Sequence, residues 1–153
     1  MTFAGAQEAL NAALKEMVGQ YVWRSELGHG SFVTIDAGDR RINSAGVEQG
    51  EFSLWVYGAP WTVETAVRTV SSEDLRADMA KAVVALQDKR VEFCAVDFRT
   101  QALTLTVVGG VTLATTPSPD VEMDDWMLFL RNGMVISAVA GNLIYESASA
   151  LPE

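Results

Sequence analysis

Two segments of the chain carry apolar residues at three- and four-residue spacing, the pattern of an amphipathic helix. The first covers about residues 3–18 and ends before Gly19, a residue suited to a helix C-terminus. The second covers about residues 72–88, where Ser71 and Ser72 are good N-cap residues. The pattern therefore predicts two helices.

The rest of the chain alternates short apolar runs with glycine-rich turns, which is typical of strands in antiparallel sheets. We expect an α+β fold in a single domain, residues 1–153, in which two helices pack on antiparallel β-sheets. The sheets should form a sandwich or half-barrel of about nine to ten short strands. The predicted strands are Tyr21–Arg24, Phe32–Asp36, Glu51–Tyr57, Trp61–Glu64, Val91–Phe98, Ala102–Val108, Val111–Thr115, Trp126–Leu130, Met134–Ala138 and Leu143–Glu146.

The dipeptide Asn132-Gly133 is the clearest turn signal, because Asn-Gly accepts the positive φ angles of a tight type I′ hairpin.

The sequence also contains a weak internal repeat. The order of elements in about residues 21–64 resembles the order in about residues 91–146, with the second helix between them. We interpret this as two similar β-units that pack on each other within one domain.

Charge narrows the choice of partner. The chain has 11 basic and 20 acidic residues, a net charge of −9. Such a chain is repelled by nucleic acid and by anionic membrane surfaces, so we expect neither as a partner. The charge suits a basic protein partner, or it serves solubility alone. The oligomeric state stays open.

A single cysteine and the absence of a long apolar run both favour a cytoplasmic protein, since one cysteine cannot form an internal disulfide. With one cysteine and one histidine, we expect neither a zinc site nor a cofactor. His29 lies between glycines and is the best general-base candidate, but it lacks a credible nucleophile. We therefore expect a non-enzymatic protein, with a small hydrolase using His29 as the weakest alternative.

The most unusual segment is acidic and ends in a tryptophan. Four acids in six positions precede an aromatic residue, which suits the capture of a basic protein surface. The alternative is a solvated loop whose tryptophan turns into the core. The partner-binding candidates are Asp120, Glu122, Asp124, Asp125 and Trp126.

A second candidate site is aromatic. Trp55, Tyr57 and Trp61 lie on neighbouring predicted strands and could line a small-ligand pocket. The alternative is that they are core residues, as tryptophans on short strands commonly are.

Three segments together carry a family resemblance: Gly28–Ile35, Phe52–Gly58 with Trp61, and Trp126–Phe129. The chain resembles small uncharacterised bacterial proteins, some of which are similar to the immunity proteins of polymorphic toxin systems. The resemblance covers about residues 18–140, leaves out the first helix and implies no catalytic residue. It implies a binding protein, most concretely an inhibitor that occludes a basic toxin surface. The alternative is a small-ligand-binding β domain.

Overall fold

A computed structural model of the chain describes residues 3–43, 45–119 and 122–148. The elements in these residues are the helices α1 (Phe3–Met17) and α2 (Arg76–Val84) and the strands β1 (Tyr21–Leu27), β2 (Val33–Ile42), β3 (Glu48–Val56), β4 (Trp61–Glu64), β5 (Thr69–Ser71), β6 (Lys89–Val96), β7 (Leu103–Val107), β8 (Thr112–Thr115), β9 (Asp124–Phe129), β10 (Met134–Val139) and β11 (Asn142–Ser147).

The strands form one antiparallel sheet in the order β11-β10-β9-β3-β2-β1-β6-β7-β8-β4-β5. The α+β class predicted from the sequence agrees with this arrangement. The sheet is larger than expected, with eleven strands in the described residues and one strand, β2, of ten residues.

The joint between the two halves of the sheet is narrow. Strands β1 and β6 share two paired positions, Tyr21 with Arg90 and Val22 with Lys89. On either side of this joint runs a three-strand meander, β1-β2-β3 in one direction and β6-β7-β8 in the other. Both halves contribute to one hydrophobic core, which includes Leu54 from the first meander and Leu105 from the second.

The helices fill the inner side of the sheet. Helix α1 buries the apolar stripe Ala6, Leu10, Ala13, Leu14 and Met17, and packs against β11 and β6. Gly19 follows with φ +89°, so the chain leaves the helix through a left-handed residue. Helix α2 packs on β1, where the Ser25 hydroxyl donates to the Val83 carbonyl at 2.6 Å.

Two local expectations differ from the structure. The segment around Ser71 belongs to β5, and helix α2 begins only at Arg76, after Leu75 in the N-cap position. The turn after β9 is a three-residue loop, in which Leu130 N–H donates to the Met134 carbonyl at 2.9 Å. Positive φ is found at Gly133 and not at Asn132, so the hairpin forms without a type I′ turn.

Candidate functional site: the outer face of the sheet

The six strands β1, β2, β3, β9, β10 and β11 present two different faces. Residues that pair across neighbouring strands lie side by side on one face. One such row faces the core and helix α1: Ile35, Leu54, Leu128, Ile136 and Tyr145. Because side chains alternate along a strand, the adjacent rows project to the opposite side.

We call that opposite side the outer face and define it by two rows of paired residues. One row is Thr34, Trp55, Met127, Ser137 and Ile144; the other is Asp36, Ser53, Phe129, Val135 and Glu146. Trp55 is 37% exposed and Ile144 is 41% exposed, while Met127 and Phe129 are half-buried. The outer face therefore exposes two large apolar side chains and half-exposes two more, while Asp36, Ser53, Val135 and Ser137 within its rows are buried.

Two aromatic ring contacts lie on or next to the outer face. The rings of Trp55 and Phe129 lie 4.8 Å apart in a tilted arrangement, and the Trp55 indole N–H donates to the Ser53 hydroxyl at 3.1 Å. Next to them, the rings of Phe32 and Tyr57 stack at 4.2 Å. Such pairs favour particular arrangements of the rings and so restrict the positions of these side chains.

Acidic side chains lie at the ends of the outer face. Glu26 pairs with Thr34 at the β1 end, and Glu146 lies on β11. A bulge at Asp125 places Asp124 opposite Val139, on the same side as Ser137. Burial raises the pKa of Asp124 above its ordinary value, and the nearby negative charge of Glu146 raises it further.

The base at the β1 end is shared between two acids, because Arg24 Nε lies 3.9 Å from the Glu26 carboxylate and closer still to Asp36. Arg24 Nε donates to the Asp36 carboxylate at 2.8 Å, and Arg24 also donates to the Glu48 carbonyl at 2.8 Å. The Asp36 side chain is fully buried and its second oxygen accepts from the Gly50 N–H at 2.9 Å. The pair is thus internally neutralised.

The structure separates the acidic residues that the sequence grouped together. Asp120 lies outside the described residues, and Glu122 is exposed. Asp125 is 5% exposed; its carboxylate accepts from the Ser118 N–H at 3.0 Å, and its carbonyl accepts from Tyr57 N–H. Burial is also the main cause that raises the pKa of Asp125. Of the described acids in this segment, Asp124 is the one placed on the outer face.

Trp126 does not offer an exposed anchor. Its side chain is fully buried, and its indole N–H donates to the Gln101 carbonyl at 2.8 Å. The alternation of β9 explains this placement, because Trp126 shares its face with Leu128, on the core side. Of the candidate aromatic residues, Trp55 and Tyr57 are the ones that face solvent.

The three aromatic residues of the predicted ligand pocket are not brought together. Trp61 is 2% exposed and donates its indole N–H to the Ser31 carbonyl at 2.7 Å, whereas Trp55 and Tyr57 are on the outer face. A groove of about 420 Å³ is open to solvent and includes Phe129 of the outer face. It is lined by Arg41, Ile42, Asn43, Gln49, Gly50, Phe129, Leu130, Asn132, Gly133, Met134, Ser147 and Ala148.

His29 lies exposed in a turn that is held by its backbone. The Phe32 N–H donates to the His29 carbonyl at 3.2 Å, and the Arg76 guanidinium donates to the carbonyls of Gly28 and Gly30, each at 2.8 Å. These contacts fix the path of the turn and leave the imidazole at the surface.

Cys94 is partly buried on β6, and burial raises its pKa to about 12. A thiol with that pKa is almost entirely protonated at neutral pH, so it is a poor nucleophile.

Sequence reasoning missed Met127, Phe129, Ile144 and Glu146 as site residues. Each lies on a predicted strand, at a position of the alternation that faces away from the core. The missing information was the strand order: β3 and β9 are neighbours although they are distant in sequence. Only that pairing places Trp55 beside Met127.

Within 3–43, 45–119 and 122–148, no three His, Cys, Asp or Glu side chains are grouped so that they could hold a metal ion. Neither helix in this part of the chain is long and apolar enough to cross a membrane.

Comparison with known proteins gave no match to a family model, to a curated protein or to a solved structure.

Proposed function

We propose that this chain is a non-enzymatic binding protein that occludes a basic surface of a partner protein, in the manner of an immunity-type inhibitor. The observation that carries the proposal is the outer face, where exposed apolar side chains and unneutralised carboxylates occur together. The binding residues are Trp55, Met127, Phe129 and Ile144 at its centre, with Asp124 and Glu146 beside them.

The apolar part supplies affinity. Burying a large apolar side chain contributes roughly 1.5–3 kcal/mol when it is fully removed from water. Tryptophan and tyrosine are favoured in interfaces because they bury a large area and lose little conformational freedom. Trp55 and Tyr57 are 37% and 39% exposed, so part of each ring is available for a partner.

The acidic part supplies selectivity and a fast encounter. A net charge of −9 attracts a basic protein over a distance, and Asp124 and Glu146 place negative charge at the docking surface itself. A nuclease site must hold phosphates and is therefore basic, so an acidic inhibitor competes well there. The sequence resemblance to immunity proteins supports this form of the proposal.

The first experiment is a pull-down from the organism of origin at low and at high salt, with bound proteins identified by mass spectrometry. Surface plasmon resonance then compares the wild type with the double variant Asp124→Lys/Glu146→Lys. We expect the association rate to fall roughly tenfold, because reversal of rim charges acts on encounter more than on dissociation. The wild-type rate should also fall with salt, since screening shortens to about 8 Å at physiological ionic strength.

The matched control is Glu73→Lys, an exposed residue in the turn before α2. Each single reversal, Asp124→Lys and Glu146→Lys, is compared with this control. If the control slows association as much as either, only the net charge matters and the outer face is not the docking surface. A second pair tests the apolar part: Trp55→Ala should speed dissociation, whereas Val67→Ala, at an 89% exposed position, should not.

The alternative, a small-ligand-binding domain, is not supported by an aromatic pocket, because Trp61 lies in the core while Trp55 and Tyr57 face outward. The open groove near Arg41 and Gln49 is the place where such a ligand would be sought.

A further inference from the structure

Strand β11 forms one end of the sheet, and we call its side away from β10 the open edge. In the part of the chain that the structure describes, β11 pairs with β10 alone. The opposite end of the sheet is β5, a strand of three residues, which is a common way to blunt an edge. Strand β11 is six residues long and has regular register along its whole length.

The hydrogen-bond pattern shows which backbone groups face this open edge. Ala148 N–H donates to the Gly133 carbonyl at 2.9 Å, so Ala148 points toward β10. Successive residues of a strand point their N–H and C=O groups to opposite sides. Ile144 and Glu146 therefore also point toward β10, whereas Leu143 and Tyr145 direct their backbone groups to the open edge.

Two common sequence protections of an edge strand are missing from β11. Its sequence, Asn-Leu-Ile-Tyr-Glu-Ser, contains no proline and no lysine. Its one charged residue, Glu146, pairs with Val135 on the outer face and does not project toward the core. An edge of this kind readily accepts another strand.

We propose that β11 is the site at which an extended, basic segment of the partner adds to the sheet as a further strand. This inference rests on the proposed function and names its binding mode. The backbone groups of Leu143 and Tyr145 would hold the added strand, and its outward side chains would lie beside Ile144 and Glu146.

Charge decides between a basic partner and a second copy of the chain. A second copy would bring another net charge of −9 and a second Glu146 to an edge already close to Asp124. Like charges on neighbouring strands are destabilising, whereas a lysine or arginine beside Glu146 is favourable. The occupant is therefore basic on the outer side and apolar on the inner side, where Leu143 and Tyr145 meet the core.

The test uses a synthetic peptide of about nine alternating lysine and valine residues, long enough to span the strand. Amide hydrogen exchange is followed by NMR on the whole protein. Near saturation, the amides of Leu143 and Tyr145 should exchange at least roughly tenfold more slowly, because they become hydrogen-bonded. The amides of Ile144 and Glu146, already bonded to β10, should change little.

A matched pair of variants isolates the backbone contact. Tyr145→Pro removes an N–H that faces the open edge, and Tyr145→Ala loses the same side-chain packing but keeps the N–H. We expect the proline variant to lose peptide binding and the alanine variant to retain it. Denaturant melts show whether both are folded, and the exchange measurement on the wild type stands without either.

Four results would overturn the proposal: no binding at millimolar peptide, equal binding by the two Tyr145 variants, equal binding of a glutamate–valine peptide, or protection of other amides. Protection of Leu143 and Tyr145 that rises with protein concentration in the absence of peptide would assign the edge to a second copy instead. If Asp124→Lys slows the natural partner but Tyr145→Pro does not, the proposed function stands and strand addition fails.

Discussion

The carboxylate of Asp36 is a buried charge whose oxygens both have donors. Arg24 Nε and the Gly50 N–H bond to one oxygen each, at 2.8 and 2.9 Å. A buried carboxylate without partners would oppose folding, so these two contacts make its position tolerable. The pair also ties β1 to β2 within the outer face.

Replacement of Asp36 by alanine should be strongly destabilising. It leaves the Arg24 Nε and the buried Gly50 N–H without their Asp36 acceptor, and loss of one partner of a buried pair costs about 3–5 kcal/mol. We expect the low end of that range, because Arg24 keeps 27% of its side chain exposed. Urea unfolding measures the change. Asp39→Ala, at an exposed position, is the control and should change stability by less than about 0.5 kcal/mol; equal losses would contradict the assignment.

Asp124 should make stability depend on pH in the opposite sense to a salt-bridged acid. Burial first, and Glu146 second, raise its pKa in the folded state above 3.8. The folded protein therefore binds this proton more tightly than the unfolded chain, so its contribution to stability is lost as pH rises from 3.8 through the folded-state pKa. We expect the free energy of unfolding of Asp124→Asn to rise relative to that of the wild type as pH increases over that interval. Urea unfolding at a series of pH values measures the difference. A difference that is constant with pH would refute the shift.

The alternation of β2 predicts that Asp36 faces away from the core, between the inward residues Ile35 and Ala37, and this much is readable from the sequence. The burial of Asp36 cannot be predicted in this way, because it depends on Arg24, which lies on the neighbouring strand and donates a hydrogen bond to it. The same limit applies to the candidate site. The sequence identifies Trp55 and Asp124 as candidates, but only the pairing of β3 with β9, and of β9 with β10, shows that one surface holds both.

At the scale of elements, the turn between β9 and β10 depends on one glycine. Gly133 has φ +80°, and no atom lies within 4 Å of the position that a Cβ would take. The Asn132 side chain accepts from the Met134 N–H at 3.0 Å and braces the loop. Glycine is therefore needed for its backbone conformation and not for space.

Gly133→Val should destabilise the protein by about 1 kcal/mol or more, because a β-branched residue resists positive φ. Gly133→Asn is the matched control, since asparagine accepts the left-handed region at much smaller cost. Chemical denaturation of both variants makes the comparison. Equal losses for valine and asparagine would show that the side chain meets an obstacle and that the conformational explanation is wrong.

The start of α2 shows why a good local signal can be overridden. Ser71 has the chemistry of an N-cap, yet it pairs with Thr62 as part of β5. Its hydroxyl accepts from the Glu73 N–H, and its own N–H donates to the Asp74 carboxylate, so the capping groups form a turn instead. The pairing with β4 joins residues that lie outside the capping sequence, Thr62 with Ser71, so the capping pattern does not contain it.

At the scale of the whole molecule, the two halves of the chain exchange strands. The β4-β5 hairpin follows β3 in sequence but pairs with β8, and β9 follows β8 but pairs with β3. The weak internal repeat in the sequence predicted two β-units packed on each other. The strand order instead interleaves them, and the low identity between the halves gave no means to see which hairpin belonged to which meander.

Two buried tryptophans mark this exchange. Trp61 on β4 donates its indole N–H to Ser31, in the loop between β1 and β2. Trp126 on β9 donates to Gln101, in the loop between β6 and β7. Each exchanged segment is therefore bonded back to the meander that precedes it in sequence, and neither half completes its core alone.

Interleaving of this kind should make unfolding a single cooperative transition. Incorporation of 5-fluorotryptophan gives separate ¹⁹F signals for Trp61 and Trp126, which report on opposite arms of the sheet; Trp61→Phe and Trp126→Phe assign them. We expect both signals to disappear at the same urea concentration, because loss of β9 exposes the inner side of β3, and loss of β4 exposes that of β8. Trp55, on the outer face, serves as an internal reference whose signal should be sensitive to solvent already in the folded state. If the Trp126 signal were lost at clearly lower urea than the Trp61 signal, the β9-β10-β11 arm would be an independent unit, and the strand exchange would not couple the two halves.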